Sequence, residues 1–183
     1  MILRTLFSVL FLVGSSIIFS GCAINYLTED RSFNGSVKDS EAEISLRNAL
    51  FQKDQNYFAD VSVIVAEKRA LLTGSVDSSE SIDEIVTIVN KNSYITDVYN
   101  HLTVNSNGSI KDSSMDLFLN KKIFAALVGT EGVTSANYKT VVKDRIAYIM
   151  GSTNSSKEKA LALKAAREVS GLCKVVDYII IID

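Results

Sequence analysis

Few residues of this sequence could catalyse a reaction or bind a metal. There is 1 histidine, His101, and there are 2 cysteines, Cys22 and Cys173. These residues are too few for a zinc site, which needs about four nitrogen or sulfur ligands, or three and a water. His101 lies in an alternating run from Tyr99 to Val104, so we expect it on the surface of a strand. The sequence predicts no metal, no cofactor and no catalytic site.

Two further patterns that could carry chemistry have simpler explanations. The acidic pairs Asp39/Glu41 and Asp83/Glu84 are expected at helix starts, where carboxylates favour the positive end of the dipole. The run Gly129-Thr130-Glu131-Gly132 has the Gly-x-x-Gly spacing of some nucleic-acid loops, but it lacks neighbouring basic residues on its C-terminal side and contains the acidic Glu131. It predicts the end of a helix and a turn.

The N-terminus has the layout of a secretory signal peptide. Arg4 precedes an apolar run from Leu6 to Val13, and the segment ends on the small residues Ser20 and Gly21. A transmembrane helix of about 20 apolar residues is the weaker alternative, because Gly14-Ser15-Ser16 interrupts the run. We therefore predict that residues 1–21 are removed.

The run Phe19-Ser20-Gly21-Cys22 resembles the lipobox of bacterial lipoproteins. The resemblance implies that Cys22 becomes the mature N-terminus and carries acyl chains such as palmitate. An ordinary signal peptide with a chance cysteine remains the alternative. If Cys22 is lipidated, Cys173 has no disulfide partner, and its apolar neighbours predict a buried thiol.

The charge balance argues against a nucleic-acid partner. Removing residues 1–21 takes away Arg4 from 19 basic residues, which leaves 18 against 21 acidic ones and a formal charge near −3. No basic run is present to release counterions from a phosphate backbone.

The remainder of the chain contains an internal repeat at an offset of 77 residues. Gly74-Ser75 aligns with Gly151-Ser152, and the same offset pairs Leu46 with Ile123. Further pairs in the same register are Ala49 with Ala126, Leu50 with Leu127, Val65 with Val142, Ile95 with Leu172, and Val98 with Val175. We therefore predict two copies of one small module.

Hydrophobic periodicity gives both modules the same order of elements, αββαβ. Short turns are expected at Glu67-Lys68 and Asp144-Arg145, and the spacing of Ser155 and Glu158 predicts a capping box at the second helix of the second module. The predicted domains are a signal peptide (1–21), a lipidated cysteine and tether (22–39), a first module (40–104), a linker (105–114) and a second module (115–183).

This order is similar to the BON domain, in tandem as in the dual BON-domain lipoproteins of Gram-negative outer membranes. The strongest local match is the run from Val169 to Val176. The resemblance implies an α+β fold, with a three-stranded mixed sheet and two helices on one face of each module. It also implies phospholipid binding and a role in envelope integrity. Gly74 and Gly151 match the family's glycine, which we expect at a turn that needs positive φ or the close approach of a helix.

The first helix of the second module, expected over residues 116–128, has apolar residues on two sides. At about 100° per residue, Leu117, Phe124 and Val128 lie opposite the core stripe together with Lys121, and Phe118 flanks them. The first module has Ser40, Glu41, Arg47 and Phe51 where the second has Leu117, Phe118, Phe124 and Val128. This outer side could pack on the first module, or it could be an interface.

From these patterns we expect a lipid-anchored protein on the periplasmic face of the outer membrane, because Ala23 rather than Asp follows the cysteine. Its partner is expected to be phospholipid, bound through Leu117, Phe118, Phe124 and Val128 with Lys121 or Lys122 on headgroups. The alternative is an adaptor that docks a secretion or envelope-assembly protein on the same helix. The sequence leaves the oligomeric state open.

Overall fold

The computed structural model describes residues 33–104 and 110–182. The predicted signal peptide, Cys22 and residues 105–109 of the predicted linker lie outside the described residues. The helices are α1 (Phe33–Lys53), α2 (Gln55–Asp60), α3 (Ser79–Asn90), α4 (Ile110–Gly129) and α5 (Ser156–Arg167). The strands are β1 (Val61–Ala66), β2 (Arg69–Val76), β3 (Asp97–Val104), β4 (Tyr138–Lys143), β5 (Ile146–Thr153) and β6 (Lys174–Ile181).

Each module has one three-stranded mixed sheet, in the order β1-β2-β3 or β4-β5-β6. The central strand is antiparallel to the first strand and parallel to the last. The predicted α+β fold of two tandem αββαβ modules is therefore confirmed. The short helix α2 was not predicted, and a 3-10 turn, Ser135–Asn137, precedes β4 in the second module.

The first helix of each module begins earlier than the sequence pattern indicated. Helix α1 starts at Phe33 and α4 at Ile110, so both include residues that we expected in the tether and the linker. Helical periodicity is visible only where one side of a helix is apolar. The polar first turns of α1 and α4 therefore lack that signal.

The turn between the first two strands of each module has left-handed backbone and is hydrogen-bonded to a buried carboxylate. Glu67 and Lys68 have φ of 52° and 61°, and the equivalent turn of the second module has the same conformation. Asp39 accepts hydrogen bonds from the backbone N–H groups of Glu67 (2.8 Å) and Lys68 (3.1 Å). Asp116 does the same for the other turn. These bonds offset the cost of left-handed backbone at residues other than glycine.

Gly74 and Gly151 lie inside β2 and β5, not at a turn as we expected. Their φ values are 135° and 153°. A Cβ atom on Gly74 would lie 2.1 Å from the carbonyl oxygen of Asp60, and one on Gly151 would lie 2.0 Å from that of Asn137. The expected positive φ is thus present, and the group that approaches closely is the backbone just before the neighbouring strand, at the end of α2 in the first module and of the 3-10 turn in the second.

Ser155 and Glu158 form half of the predicted capping box. The backbone N–H of Glu158 donates to Ser155 Oγ at 3.2 Å, as expected. The Glu158 carboxylate does not reach back to Ser155. It is buried and accepts hydrogen bonds from the Thr134 N–H and the Thr153 hydroxyl, both at 2.8 Å. Glu158 therefore ties α5 to the loop before β4.

Each sheet packs its helices on one side, and the two sheets pack on each other through the opposite sides. The first core lies between β1, β2, α1 and α3, and the second has the equivalent composition. A third cluster joins Ile64, Ala66 and Leu71 of the first module to Tyr148 and Met150 of the second. The stacked rings of Tyr99 and Tyr178, with centroids 4.1 Å apart, continue this interface.

Arg69 adds polar bonds to the interface between the sheets. Its side chain is buried and donates to the carbonyl oxygens of Tyr178 (3.0 Å) and Gly151 (3.1 Å) in the other module. Glu67 accepts a hydrogen bond from Ser152 at 2.7 Å. The modules are therefore joined sheet to sheet, which leaves their helices on the outside of the molecule.

Candidate functional site

The outer side of α4 is a row of large apolar side chains that are more than half exposed. Leu117 is 57% exposed, Phe118 56%, Phe124 58% and Val128 55%. The inner side of the same helix carries Leu119, Ile123 and Leu127, which fill the second core. The core therefore does not require the outer residues, and exposed apolar patches are a common feature of interfaces.

Lysine side chains lie beside this apolar row. Lys121 and Lys122 are both exposed. The Lys122 Nζ atom lies 5.3 Å from the centre of the Phe118 ring, within the range of a cation–π contact. The outer side of α4 thus combines apolar area with positive charge, which lies between Phe118 and Phe124 along the helix.

The matching helix of the first module is polar at three of the four equivalent positions, and at the fourth it has Phe51 where α4 has Val128. Ser40, Glu41 and Arg47 stand where α4 has Leu117, Phe118 and Phe124. Its exposed large apolar residues are Val37, Ile44 and Phe51. Because the two helices hold equivalent places in the repeat, α1 serves as an internal control for α4.

The sequence left open that the outer side of α4 packs on the first module. In the structure, only one edge of that side faces the first module. Leu117 and Phe124 line a groove of about 630 Å³ between the modules, with Lys121. Phe118 and Val128 do not line that groove and remain open to solvent. The reason is that the modules meet through their sheets, which places most of α4 outside the contact.

The sequence predicted His101 on the surface of a strand, but the structure shows it half-buried against the second module. Its Nε2 atom lies 2.6 Å from the Tyr178 hydroxyl, and its ring lies 4.6 Å from that of Tyr148. Burial, and to a lesser extent the Lys174 ammonium, lowers the pKa of His101 below its ordinary value. Strand alternation gave the correct side of β3, but the second module covers that side.

Cys173 and the acidic pairs also differ from expectation. Cys173 is exposed, not buried, although Leu172 and Val175 beside it pack on the core. Asp39 is buried within α1 and binds the turn of the first module. Glu84 lies within α3, where it forms an ion pair with Lys53 at 2.6 Å. The hydrogen bond from Lys53 is the main cause of the lowered pKa of Glu84.

The sequence analysis missed two structural roles, the support of the turns by buried aspartates and the contacts of Arg69 between the sheets. Asp39 and Asp116 are separated by the same 77 residues as the rest of the repeat, so the repeat itself carried the signal for a shared role. Arg69 has no such signal, because Ile146 stands at the equivalent position. Its contacts follow from the packing of the two sheets.

The described residues give no sign of a metal centre or a membrane-crossing helix. Within residues 33–104 and 110–182, no three His, Cys, Asp or Glu side chains are grouped to hold a metal ion. In the same part of the chain, no helix has the length and apolar character needed to span a bilayer.

Comparison with known proteins gives one family and two relatives. The family model described as BON domain matches residues 38–106 and 118–183. A protein of Anaplasma centrale, named "Uncharacterized protein in gshII 5'region", is 28% identical over 78% of this chain and 94% of its own length. Osmotically-inducible protein Y of Escherichia coli is 27% identical over 75% of this chain and 69% of its own.

Among solved structures, the chain is similar to CdsD, a structural protein of the Type III secretion system of Chlamydia trachomatis. The identity is 12%, the TM-score is 0.34, and the match covers 76% of this chain and 91% of the other.

Proposed function

The chain belongs to the BON domain family, with two copies in tandem, and on this premise we propose that it is a non-enzymatic envelope lipoprotein. In this proposal it binds phospholipid membranes through its second module and supports the integrity of the outer membrane. The observation that carries the proposal is the exposed row of Leu117, Phe118, Phe124 and Val128 on α4.

A membrane interface suits the composition of this row. An amphipathic helix binds a membrane surface by burying its apolar side at the boundary between headgroups and acyl chains, while basic residues meet anionic headgroups. Phe118 and Phe124 supply the apolar area, and Lys121 and Lys122 lie beside them. Basic residues near a membrane surface contribute about 1 kcal/mol each toward anionic lipid.

The proposed anchor is Cys22, at the end of the lipobox-like run. Acylation there would place the protein on the periplasmic face of the outer membrane. It would also hold α4 near the lipid, so that the helix need supply only a weak additional contact. The same exposed row would serve an envelope protein partner if it did not bind lipid.

Vesicle co-sedimentation tests the proposal. Residues 23–183 contain every described element, so this unlipidated chain reports on the modules alone. We expect it to sediment with phosphatidylglycerol vesicles, and Phe118→Glu with Phe124→Glu to abolish sedimentation. Because both rings are more than half exposed, the double variant should keep the circular dichroism spectrum and melting temperature of the wild type.

The first module supplies the matched control. Ile44→Glu with Phe51→Glu places two carboxylates at exposed apolar positions of α1, and this variant should sediment like the wild type. A double variant of α4 that still sediments, or a wild-type chain that ignores vesicles, would contradict lipid binding. In the second case, the better explanation of the exposed row is a docking site for an envelope protein.

A further inference from the structure

The groove between the modules has walls from both of them. Glu43 and Arg47 of α1 lie on one side, and Leu117, Lys121 and Phe124 of α4 lie on the other. Strands β1 and β4, the first strands of the two sheets, form its floor. Its volume of about 630 Å³ falls in the ordinary range of small-ligand sites, about 300–1,000 Å³.

One ion pair crosses the groove and neutralises the negative charge of its one carboxylate. The Lys139 ammonium on β4 lies 2.9 Å from Glu43 Oε2 on α1. The same carboxylate accepts the backbone N–H of Val65 at 3.1 Å. Glu43 is thereby held by two donors, and it is the sole acidic side chain among the groove residues.

The other charged groups of the groove are both basic and stand on opposite walls. They are Arg47 in the first module and Lys121 in the second. Three basic side chains against one carboxylate give the lining a net formal charge of +2. The groove is thus complementary to an anion that lies between its walls.

The rest of the lining is largely apolar. Ile64 and Val141 contribute from the strands, and Leu117 and Phe124 contribute from α4. Leu117 and Phe124 also belong to the exposed row, so the proposed membrane surface continues into the groove. A ligand that matches this lining has an acyl chain and a negative headgroup.

We propose that the groove takes one acyl chain of an anionic phospholipid, with its phosphate between Arg47 and Lys121. This inference rests on the proposed function, because the lipid reaches the groove from the membrane on which α4 lies. It adds that the first module forms half of the lipid site. A guanidinium and an ammonium both bind phosphate oxygens through charge-assisted hydrogen bonds.

The test separates vesicle binding from retention of a single lipid. Residues 23–183 are mixed with phosphatidylglycerol vesicles, the vesicles are removed, and native mass spectrometry counts the lipid left on the protein. We expect one retained phosphatidylglycerol per wild-type chain. With pure phosphatidylcholine vesicles, we expect at least about tenfold less retained lipid, which corresponds to a loss of about 1.4 kcal/mol of charge interaction.

Two variants of the first module change the groove in different ways. Arg47→Glu reverses the charge of one wall at an exposed site, and Ser62→Phe places a ring in the groove. Both should lose the retained lipid while they still sediment with vesicles. Lys38→Glu is the matched control, because Lys38 is an exposed basic residue of α1 that does not line the groove.

The outcomes distinguish this inference from the proposed function. Vesicle binding without a retained lipid in the wild type would overturn the groove site and leave the role of α4 intact. Retention that is unchanged in both Arg47→Glu and Ser62→Phe, or equal loss in Lys38→Glu, would also overturn it. Failure of the wild type to bind vesicles at all would remove both.

Discussion

Gly74 and Gly151 show how far single residues could be interpreted from the sequence. Their equivalence followed from the repeat, and the structure gives both positive φ and the same close contact with a backbone carbonyl. Their position inside a strand could not be predicted from the sequence. A glycine at equivalent positions indicates that a Cβ atom would not fit, but it does not indicate which group would clash with it. Cys173 lies before β6 and is exposed despite its apolar neighbours. The partial burial of His101 was missed for a reason related to that of the glycines. Neighbouring residues predict which side of a strand a residue occupies, but not what covers it.

Gly151→Val should destabilise the second module by about 3 kcal/mol. The new Cβ would lie 2.0 Å from the Asn137 carbonyl oxygen, and the positive φ is strained for a β-branched residue. Urea unfolding of residues 23–183 measures the loss. Gly129→Val is the matched control, because a Cβ at Gly129 meets no atom within 4 Å. Equal stability of the two variants would mean that Gly151 has no special role.

At the scale of elements, the apolar strands and helices were predicted well and their contacts less well. All six strands that hydrophobic periodicity predicted are present, in the predicted order. The face-to-face packing of the sheets was missed, although the sequence held a signal for it. Strands β1 and β5 are buried at nearly every position, and a continuous apolar run is typical of a strand covered on both sides.

The interface between the sheets should weaken in mild acid through His101. The folded protein holds the pKa of His101 below its ordinary value of 6.5, mainly through burial. The unfolded chain therefore binds a proton more readily, and stability falls as pH drops below 6.5. Unfolding by urea at pH about 7.5 and about 5.5 measures this loss, since both values bracket the ordinary pKa.

His101→Gln provides the control for that titration. Glutamine can keep a hydrogen bond to the Tyr178 hydroxyl but does not titrate. The variant should therefore lose less stability than the wild type between the two pH values. An identical loss in both proteins would assign the acid sensitivity to other groups.

At the scale of the whole molecule, the repeat predicted two modules, and their divergence indicated the side of the second that we propose binds lipid. The sheets take up the contact between modules, so the helices face outward and α4 keeps its apolar row exposed. The groove could not be predicted from the sequence, because it exists only where α1 and α4 meet the edges of two packed sheets.

Cys22→Ser tests the proposed anchor. If Cys22 carries acyl chains, the variant should remain an uncleaved precursor or be released into the periplasm, because a serine hydroxyl cannot take the thioether lipid. Membrane fractionation and mass spectrometry of the wild-type N-terminus measure this. Complete membrane partition of the variant, together with a wild-type protein that lacks acyl groups, would show that the chain is not a lipoprotein.

The most direct test of the central claim locates the membrane on the folded protein. Residues 23–183 are bound to phosphatidylglycerol vesicles that contain a spin-labelled phospholipid, and the paramagnetic broadening of backbone amide signals is measured. The account predicts the strongest broadening at residues 117–128 of α4 and little broadening in α3, which lies in the other module. Equal broadening of α3 and α4, or no broadening of α4 in protein that has bound vesicles, would contradict it.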